Sequence, residues 1–139
     1  MRKFIILYLA ITLFAAGCAG SGRLKSYTAD SFPISSNSGL VGDIADRIAS
    51  AYPPGLTEVY LTGKGDFALA LEDGLRNRGY TLRPDNGDGA LVVAWTLDRL
   101  DEESWYLLVN LSDGYRFGRV YQDDGLSVEP MGGLSQGIF

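Results

Sequence analysis

The chain has no histidine and a single cysteine among its 139 residues. Without histidine, it lacks the side chain that most often serves as a general base, a proton shuttle or a metal ligand near neutral pH. One cysteine cannot form a disulfide within the chain, so a folded core must be held together by packing. Seventeen acidic residues outnumber twelve basic ones. No basic stripe is present to neutralise phosphates, which argues against nucleic acid as a partner.

The chain also lacks an apolar run long enough to span a bilayer. The longest run, Phe4–Ala16, has thirteen residues and is interrupted by Thr12, whereas a membrane-spanning helix needs about 20. Arg2 and Lys3 precede the run, and small residues close it. A positive start, a short apolar segment and small residues are typical of a secretory signal peptide. We therefore assign residues 1–17 to a signal peptide.

The stretch Ala15-Ala16-Gly17-Cys18 resembles the lipobox of bacterial lipoproteins. In that family the cysteine thiol is acylated, and the leader is cut immediately before it. The resemblance implies lipid attachment, such as palmitate, at Cys18, and two or three acyl chains bind firmly at ~0.8 kcal/mol per buried CH₂. Since Ala19 rather than aspartate follows, the sorting rule of that family implies the periplasmic face of the outer membrane. The alternative is a plain signal peptide with an unrelated cysteine nearby.

Residues 18–38 predict a lipidated cysteine followed by a flexible tether. The segment is rich in Gly, Ser and Thr and has no sustained apolar period. About twenty flexible residues give an average reach of roughly 25 Å. Tyr27, Phe32 and Ile34 are apolar for a linker, so docking on a partner in extended form remains the alternative. A small periplasmic domain would then occupy residues 39–139.

The domain begins with two predicted helices. Apolar residues recur at helical spacing from Leu40 to Ala49, and Pro53-Pro54 stops that helix. A short strand, Thr57–Thr62, follows. A second helix begins at Asp66, presents Phe67 and Leu71 on one face, and ends at Gly79.

Strands dominate the remainder of the chain, and the strand region starts with "YTLRP" at 80–84. Alternating apolar residues predict strands at 90–100, 104–112 and 115–122, with an edge strand near 126–129. This alternation places Trp95 and Trp105 in the core. The element order is α-β-α-β-β-β-β, which predicts an α+β fold with two helices packed on a mostly antiparallel sheet of four to five strands.

No catalytic, metal or cofactor site is predicted, and no small-molecule substrate. The carboxylates Asp98, Asp101, Glu102 and Glu103 could in principle form a glycosidase pair, but they fall between two predicted strands, where charge usually marks a solvated turn. The stretch "DNGDG" at 85–89 lacks the ligands of an EF-hand loop. The stretch "GKGD" at 63–66 lacks the rest of a phosphate-binding loop and is explained by a turn at a helix start.

With these elements placed, the chain resembles the TrbH conjugal transfer proteins. The resemblance rests on the lipobox at Cys18 and on "AYPPG" at 51–55, "FALALEDGLRNRGY" at 67–80, "WTLDRL" at 95–100, "WYLLVNLSDG" at 105–114 and "GRVY" at 118–121. The tail after Gln122 matches nothing in it. The resemblance implies a non-enzymatic lipoprotein of a plasmid type IV secretion system, in contact with the ring-forming subunits of its core complex. A pilotin-type or exclusion lipoprotein is the alternative, and a periplasmic cell-wall hydrolase is a weaker one.

Overall fold

The structure, a computed structural model, describes residues 23–33 and 37–138. Cys18 and the predicted signal peptide lie outside the described residues, and so does Ile34. The helices are α1 (Asn37–Ala51) and α2 (Asp66–Arg76), and a 3₁₀ turn spans Pro54–Leu56. The strands are β1 (Tyr27–Thr28), β2 (Glu58–Leu61), β3 (Thr81–Leu82), β4 (Leu91–Arg99), β5 (Ser104–Leu111), β6 (Tyr115–Asp123) and β7 (Val128–Ile138). Within the described ranges, neither helix is long and apolar enough to cross a membrane.

Both helices follow from apolar spacing and from residues that stop a helix. Leu40, Ile44 and Ile48 lie on one face of α1 and are completely buried. The helix ends at Ala51, just before the two prolines that cannot continue it. Helix α2 starts after Gly65, whose positive φ of 94° suits glycine because glycine has no Cβ.

The sheet has seven strands, and six of them follow the order β3-β2-β4-β5-β6-β7. Strands β4 to β7 form an antiparallel meander, whereas β2 pairs in parallel with both β3 and β4. Strand β1 also pairs in parallel with β4, with Tyr27 opposite Thr96. Because β2 pairs with Leu91–Val93, β1 and β2 share one edge of β4.

The core lies between the two helices and one face of the sheet. Side chains of β4 and β5 that point to the helices are buried, among them Trp95 and Trp105, each 1% exposed. The opposite face, here called the outer face, carries the alternate residues of the central strands. Its members include Val92, Ala94, Thr96, Asp98, Tyr106, Leu108, Asn110, Arg116, Gly118, Val120, Gln122, Glu129 and Met131.

The predicted fold class is confirmed, with two helices on a mostly antiparallel sheet, and so is the burial of both tryptophans. The sheet is larger than predicted, since it has seven strands rather than four or five. Strand β1 went unpredicted, and β3 was placed only as the start of the strand region. Each has two residues, which is too short to show a period-two pattern.

The prediction of a tether through residue 38 is wrong between residues 26 and 32. Ala29 and Phe32 are buried in the hydrophobic core, and Tyr27–Thr28 forms β1. The folded body therefore begins well before residue 39. The composition was misleading because the serine and threonine side chains that suggest a solvated linker are used here as hydrogen-bond partners of the sheet.

Candidate functional site

The N-terminal segment, residues 23–33, is packed on the domain. The backbone N–H of Ala29 donates a 2.9 Å hydrogen bond to the carbonyl of Leu97, which extends the pairing of β1 with β4. Phe32 is 5% exposed, and its ring lies edge-on to Trp105, with ring centroids 4.9 Å apart. A second edge-on contact joins Phe32 to Phe67 on α2 at 5.9 Å. The segment therefore contributes an aromatic side chain to the centre of the core.

Hydroxyl groups of the segment complete the hydrogen bonding around β4. Ser26 Oγ lies 2.6 Å from Thr62 Oγ1 and accepts a 3.2 Å hydrogen bond from the backbone N–H of Trp95. The indole N–H of Trp95 donates to Thr28 Oγ1 at 2.9 Å. Since a buried indole N–H without a partner is costly, Thr28 lets tryptophan fill the core beside β1.

The first residues of the segment lie over the outer face. An open cleft of about 610 Å³ is lined by Arg23–Ser26 on one side and by Tyr60, Val92 and Ser112 on the other. Strand pairing explains why residues 23–26 lie there. Because β2 occupies the edge of β4 beside Val92, the chain before β1 cannot continue along that edge and passes over the outer face. The described chain thus starts on the outer face, at the end of the sheet where β4 begins.

A second groove, of about 320 Å³, runs along the outer face between β5 and β7. Gly118 forms its floor, and Tyr106 leans across that glycine. A Cβ atom on Gly118 would lie 3.0 Å from the Tyr106 hydroxyl, so a larger residue there would displace the end of the ring by a few tenths of an ångström. Tyr106 is 37% exposed and Met131 is 47% exposed. The outer face therefore presents apolar side chains that no described element covers.

The acidic cluster forms a closed turn between β4 and β5. Asp98, Asp101, Glu102 and Glu103 are all exposed, and the Arg99 guanidinium donates to the backbone carbonyls of Asp101 and Glu102. Hydrogen bonding from Ser104 and from the backbone N–H of Glu103 lowers the pKa of Asp101. A general acid needs a raised carboxyl pKa, so the shift at Asp101 has the wrong direction for that role.

The "DNGDG" loop at 85–89 is closed by an arginine. Arg83 forms ion pairs with Glu58 at 3.2 Å and with Asp85 at 3.3 Å. Its guanidinium fills the space beside Gly87, because a Cβ atom there would come within 2.3 Å of Arg83 Nη2. Among residues 23–33 and 37–138, no three potential metal ligands lie together. The loop is held by Arg83, which precedes it and pairs with Asp85 of the loop.

The "GKGD" stretch at 63–66 serves packing. A Cβ atom on Gly63 would lie 2.4 Å from the Trp95 ring and 2.9 Å from Ser26 Cβ. Gly63 is therefore the position at which the chain, two residues after β2, passes close to both the core tryptophan and the N-terminal segment. Gly65 then turns the chain into α2 with its positive φ.

Sequence reasoning missed a polar cluster that joins α1 to the sheet. Asp43 accepts hydrogen bonds from Arg119 Nη1 at 3.0 Å and from the Tyr121 hydroxyl at 2.5 Å. Arg119 also donates to the carbonyl of Gly132, where β7 departs from regular register with β6. Burial and the Asp43 carboxylate raise the pKa of Tyr121. The partners are 76 and 78 residues apart, so no local pattern could have revealed the cluster.

Comparison with known proteins gives a consistent result. The family model described as "Conjugal transfer protein TrbH" matches residues 21–137, which includes every helix and strand except the last residue of β7. The chain is also similar to a "Probable conjugal transfer protein TrbH" of Sinorhizobium fredii (strain NBRC 101917 / NGR234). The two are 29% identical over 147 residues, an alignment that covers 97% of each chain. No solved structure matches the chain.

Proposed function

Because the chain belongs to the TrbH family of conjugal transfer proteins, we propose that it is a non-enzymatic lipoprotein of a conjugative type IV secretion system. The family match carries this proposal, since it covers nearly all of the folded domain and confirms the resemblance drawn from the sequence motifs. A role in conjugal transfer is the coarse conclusion. The lipid anchor, the outer-membrane location and the contact with channel subunits are the finer parts of the proposal.

The anchor is Cys18, whose surrounding residues resemble a lipobox. The packed N-terminal segment is described from Arg23, only five residues after Cys18. Five residues span at most about 17 Å when fully extended. This length is shorter than the reach of a twenty-residue tether, so the domain would be held directly at the periplasmic surface of the outer membrane.

Confinement at the membrane supports the proposed partner, the ring-forming subunits of the channel core complex. A short link between anchor and domain raises the effective concentration of the domain for anything else fixed at the same membrane. A weak interface would then suffice for assembly.

The first experiment measures lipidation and complex formation together. Cells that carry the conjugative plasmid would be grown with labelled palmitate, and the protein would be isolated from membranes in mild detergent. We expect wild type to be labelled and to co-purify with channel subunits, and Cys18→Ala to do neither. Lys64→Ala, which changes an exposed residue, is the matched control and should behave as wild type.

Two outcomes would contradict different parts of the proposal. Absence of label in the wild-type protein would remove the anchor. A labelled protein that never co-purifies with channel subunits would remove the secretion-channel role and favour the pilotin-type alternative. Deletion of residues 26–36 is not a clean test of the link, because it would remove Phe32 from the core.

A further inference from the structure

We propose that the outer face of the sheet lies against the phospholipid leaflet that holds Cys18, so that lipid rather than protein covers this face. The proposal rests on the lipid anchor of the proposed function. It adds an orientation: the outer face toward the membrane, and the helices α1 and α2 toward the periplasm.

The first argument is the length of the link. The described chain starts at Arg23, over Tyr60 and Val92 on the outer face. Cys18 lies five residues earlier, within about 17 Å at full extension. A domain of this size is roughly 35 Å across. Since the link is about half as long as the domain is wide, the side that carries Arg23 must face the membrane.

The length of the link from Cys18 to Arg23 also decides whether lipid or protein covers the outer face. A second folded domain placed between the outer face and the bilayer would need a gap of roughly 35 Å. The link from Cys18 to Arg23 allows at most about half of this distance. A partner domain therefore has no room beneath the outer face, whereas headgroups and upper acyl chains do.

The second argument is the chemistry of the outer face. Within residues 92–96, 106–110 and 116–120 the outer face carries no carboxylate, and its acidic residues Glu58, Asp98 and Glu129 lie near the ends of strands β2, β4 and β7. Tyr106 and Met131 are partly exposed there, beside Leu108 and Val120. Tyrosine, with an apolar ring and a polar tip, is the type of residue that concentrates at membrane–water interfaces.

The third argument is the distribution of charge along the strands. Arg23 and Lys25 are exposed beside the start of β4, near the point at which the chain leads to Cys18. The acidic turn between β4 and β5 and the acidic pair Asp123-Asp124 lie at the other end of the strands. In a protein with an acidic net charge, this arrangement brings the basic residues nearest the anchor to anionic headgroups.

The test measures the depth of single labels in the lipidated full-length protein. Cys18 carries lipid, so a cysteine introduced elsewhere is the only free thiol for a fluorophore. Met131→Cys reports on the outer face, and Leu69→Cys on the solvent side of α2 is the matched control, since the two native side chains are 47% and 60% exposed. The protein is reconstituted in phosphatidylethanolamine–phosphatidylglycerol vesicles that contain a spin-labelled lipid quencher at headgroup depth.

We expect the label at 131 to be quenched severalfold more strongly than the label at 69. Tyr106→Cys provides a second outer-face position should the first variant fold poorly, and tryptophan fluorescence checks each fold. Equal quenching at 131 and 69 in a lipidated preparation overturns this inference alone. The label at 131 can also be measured in membranes that contain the channel. If it is shielded from water there but is not reached by the lipid quencher, the orientation toward lipid is wrong and a protein covers the outer face. A preparation without lipid on Cys18, detected by mass spectrometry, contradicts both the anchor and this orientation.

Discussion

The indole N–H of Trp95 donates a 2.9 Å hydrogen bond to the hydroxyl of Thr28, a residue 67 positions earlier in the chain. Trp95 lies on the central strand β4, and Thr28 lies on β1 at the edge of that strand. The bond ties a segment with the composition of a linker to the middle of the core. We therefore expect the N-terminal segment and the domain to unfold as one unit.

Replacing Thr28 tests this bond directly. Thr28→Val keeps the shape of the side chain but leaves the Trp95 indole N–H without an acceptor, which should lower the free energy of unfolding by about 1–3 kcal/mol. Thr28→Ser keeps the hydroxyl and should cost less. Urea denaturation of the purified protein measures both. Equal stabilities for the valine and serine variants would show that the bond contributes nothing.

Phe32 should be a major contributor to stability despite its position in a glycine- and serine-rich stretch. Phe32→Ala removes a buried ring that contacts Phe67 and Trp105, and we expect a loss of about 3–5 kcal/mol. Tyr27→Ala is the matched control, because Tyr27 is exposed and should change stability by about 0.5 kcal/mol or less. Limited proteolysis gives a second measurement, since cleavage within the segment should rise only in the Phe32 variant. Resistance of both variants would mean that the segment is not held by this contact.

Two glycines should respond oppositely to alanine. At Gly63 a Cβ atom would lie 2.4 Å from the Trp95 ring, so Gly63→Ala forces the ring or the backbone after β2 to move and should cost about 1–3 kcal/mol. At Gly42, in α1, nothing lies within 4 Å, and Gly42→Ala should stabilise the helix by about 0.5–1 kcal/mol. Thermal unfolding of the two variants measures the difference in sign. A Gly63→Ala variant as stable as wild type would show that the Trp95 ring can move away from residue 63 without cost.

Stability should fall at alkaline pH, and Tyr121 should account for part of the loss. Burial and Asp43 raise the pKa of Tyr121 above its ordinary value of 10.0, so the folded state keeps a proton that the unfolded state releases. Its contribution is complete below pH 10 and is lost as the pH rises further. In Tyr121→Phe the decline above about pH 10 should be shallower. Tyr52 and Tyr80 also have raised pKa values, so some decline should remain. An unchanged slope would rule out a titration effect at Tyr121.

The acidic turn should be dispensable for DNA transfer. The double variant Asp101→Asn, Glu102→Gln removes two exposed carboxylates. Within the part of the chain that the structure describes, neither of them forms an ion pair with a basic side chain. Transfer frequency between donor and recipient cells should stay close to wild type, whereas Cys18→Ala should reduce it strongly. Loss of transfer in the double variant, with the protein folded and abundant, would support the hydrolase alternative.

The sequence by itself determined the elements whose signal is local and periodic. The apolar spacing from Leu40 to Ala49 and the prolines after it defined α1, and alternation defined the long strands β4 and β5 with Trp95 and Trp105 inside. These patterns are readable because one face of each element is buried. The missing histidine and the single cysteine likewise limited the chemistry that any site could perform.

Only the tertiary structure decided what depends on residues far apart in the chain. Strand β1 has two residues and exists because β4 offers an unpaired edge beyond β2, and Phe32 is a core residue because α2 and β5 leave a space for its ring. The bonds of Asp43 to Arg119 and Tyr121 join positions more than seventy residues apart. Such contacts are set by the arrangement of whole elements in space, which no short stretch of sequence encodes.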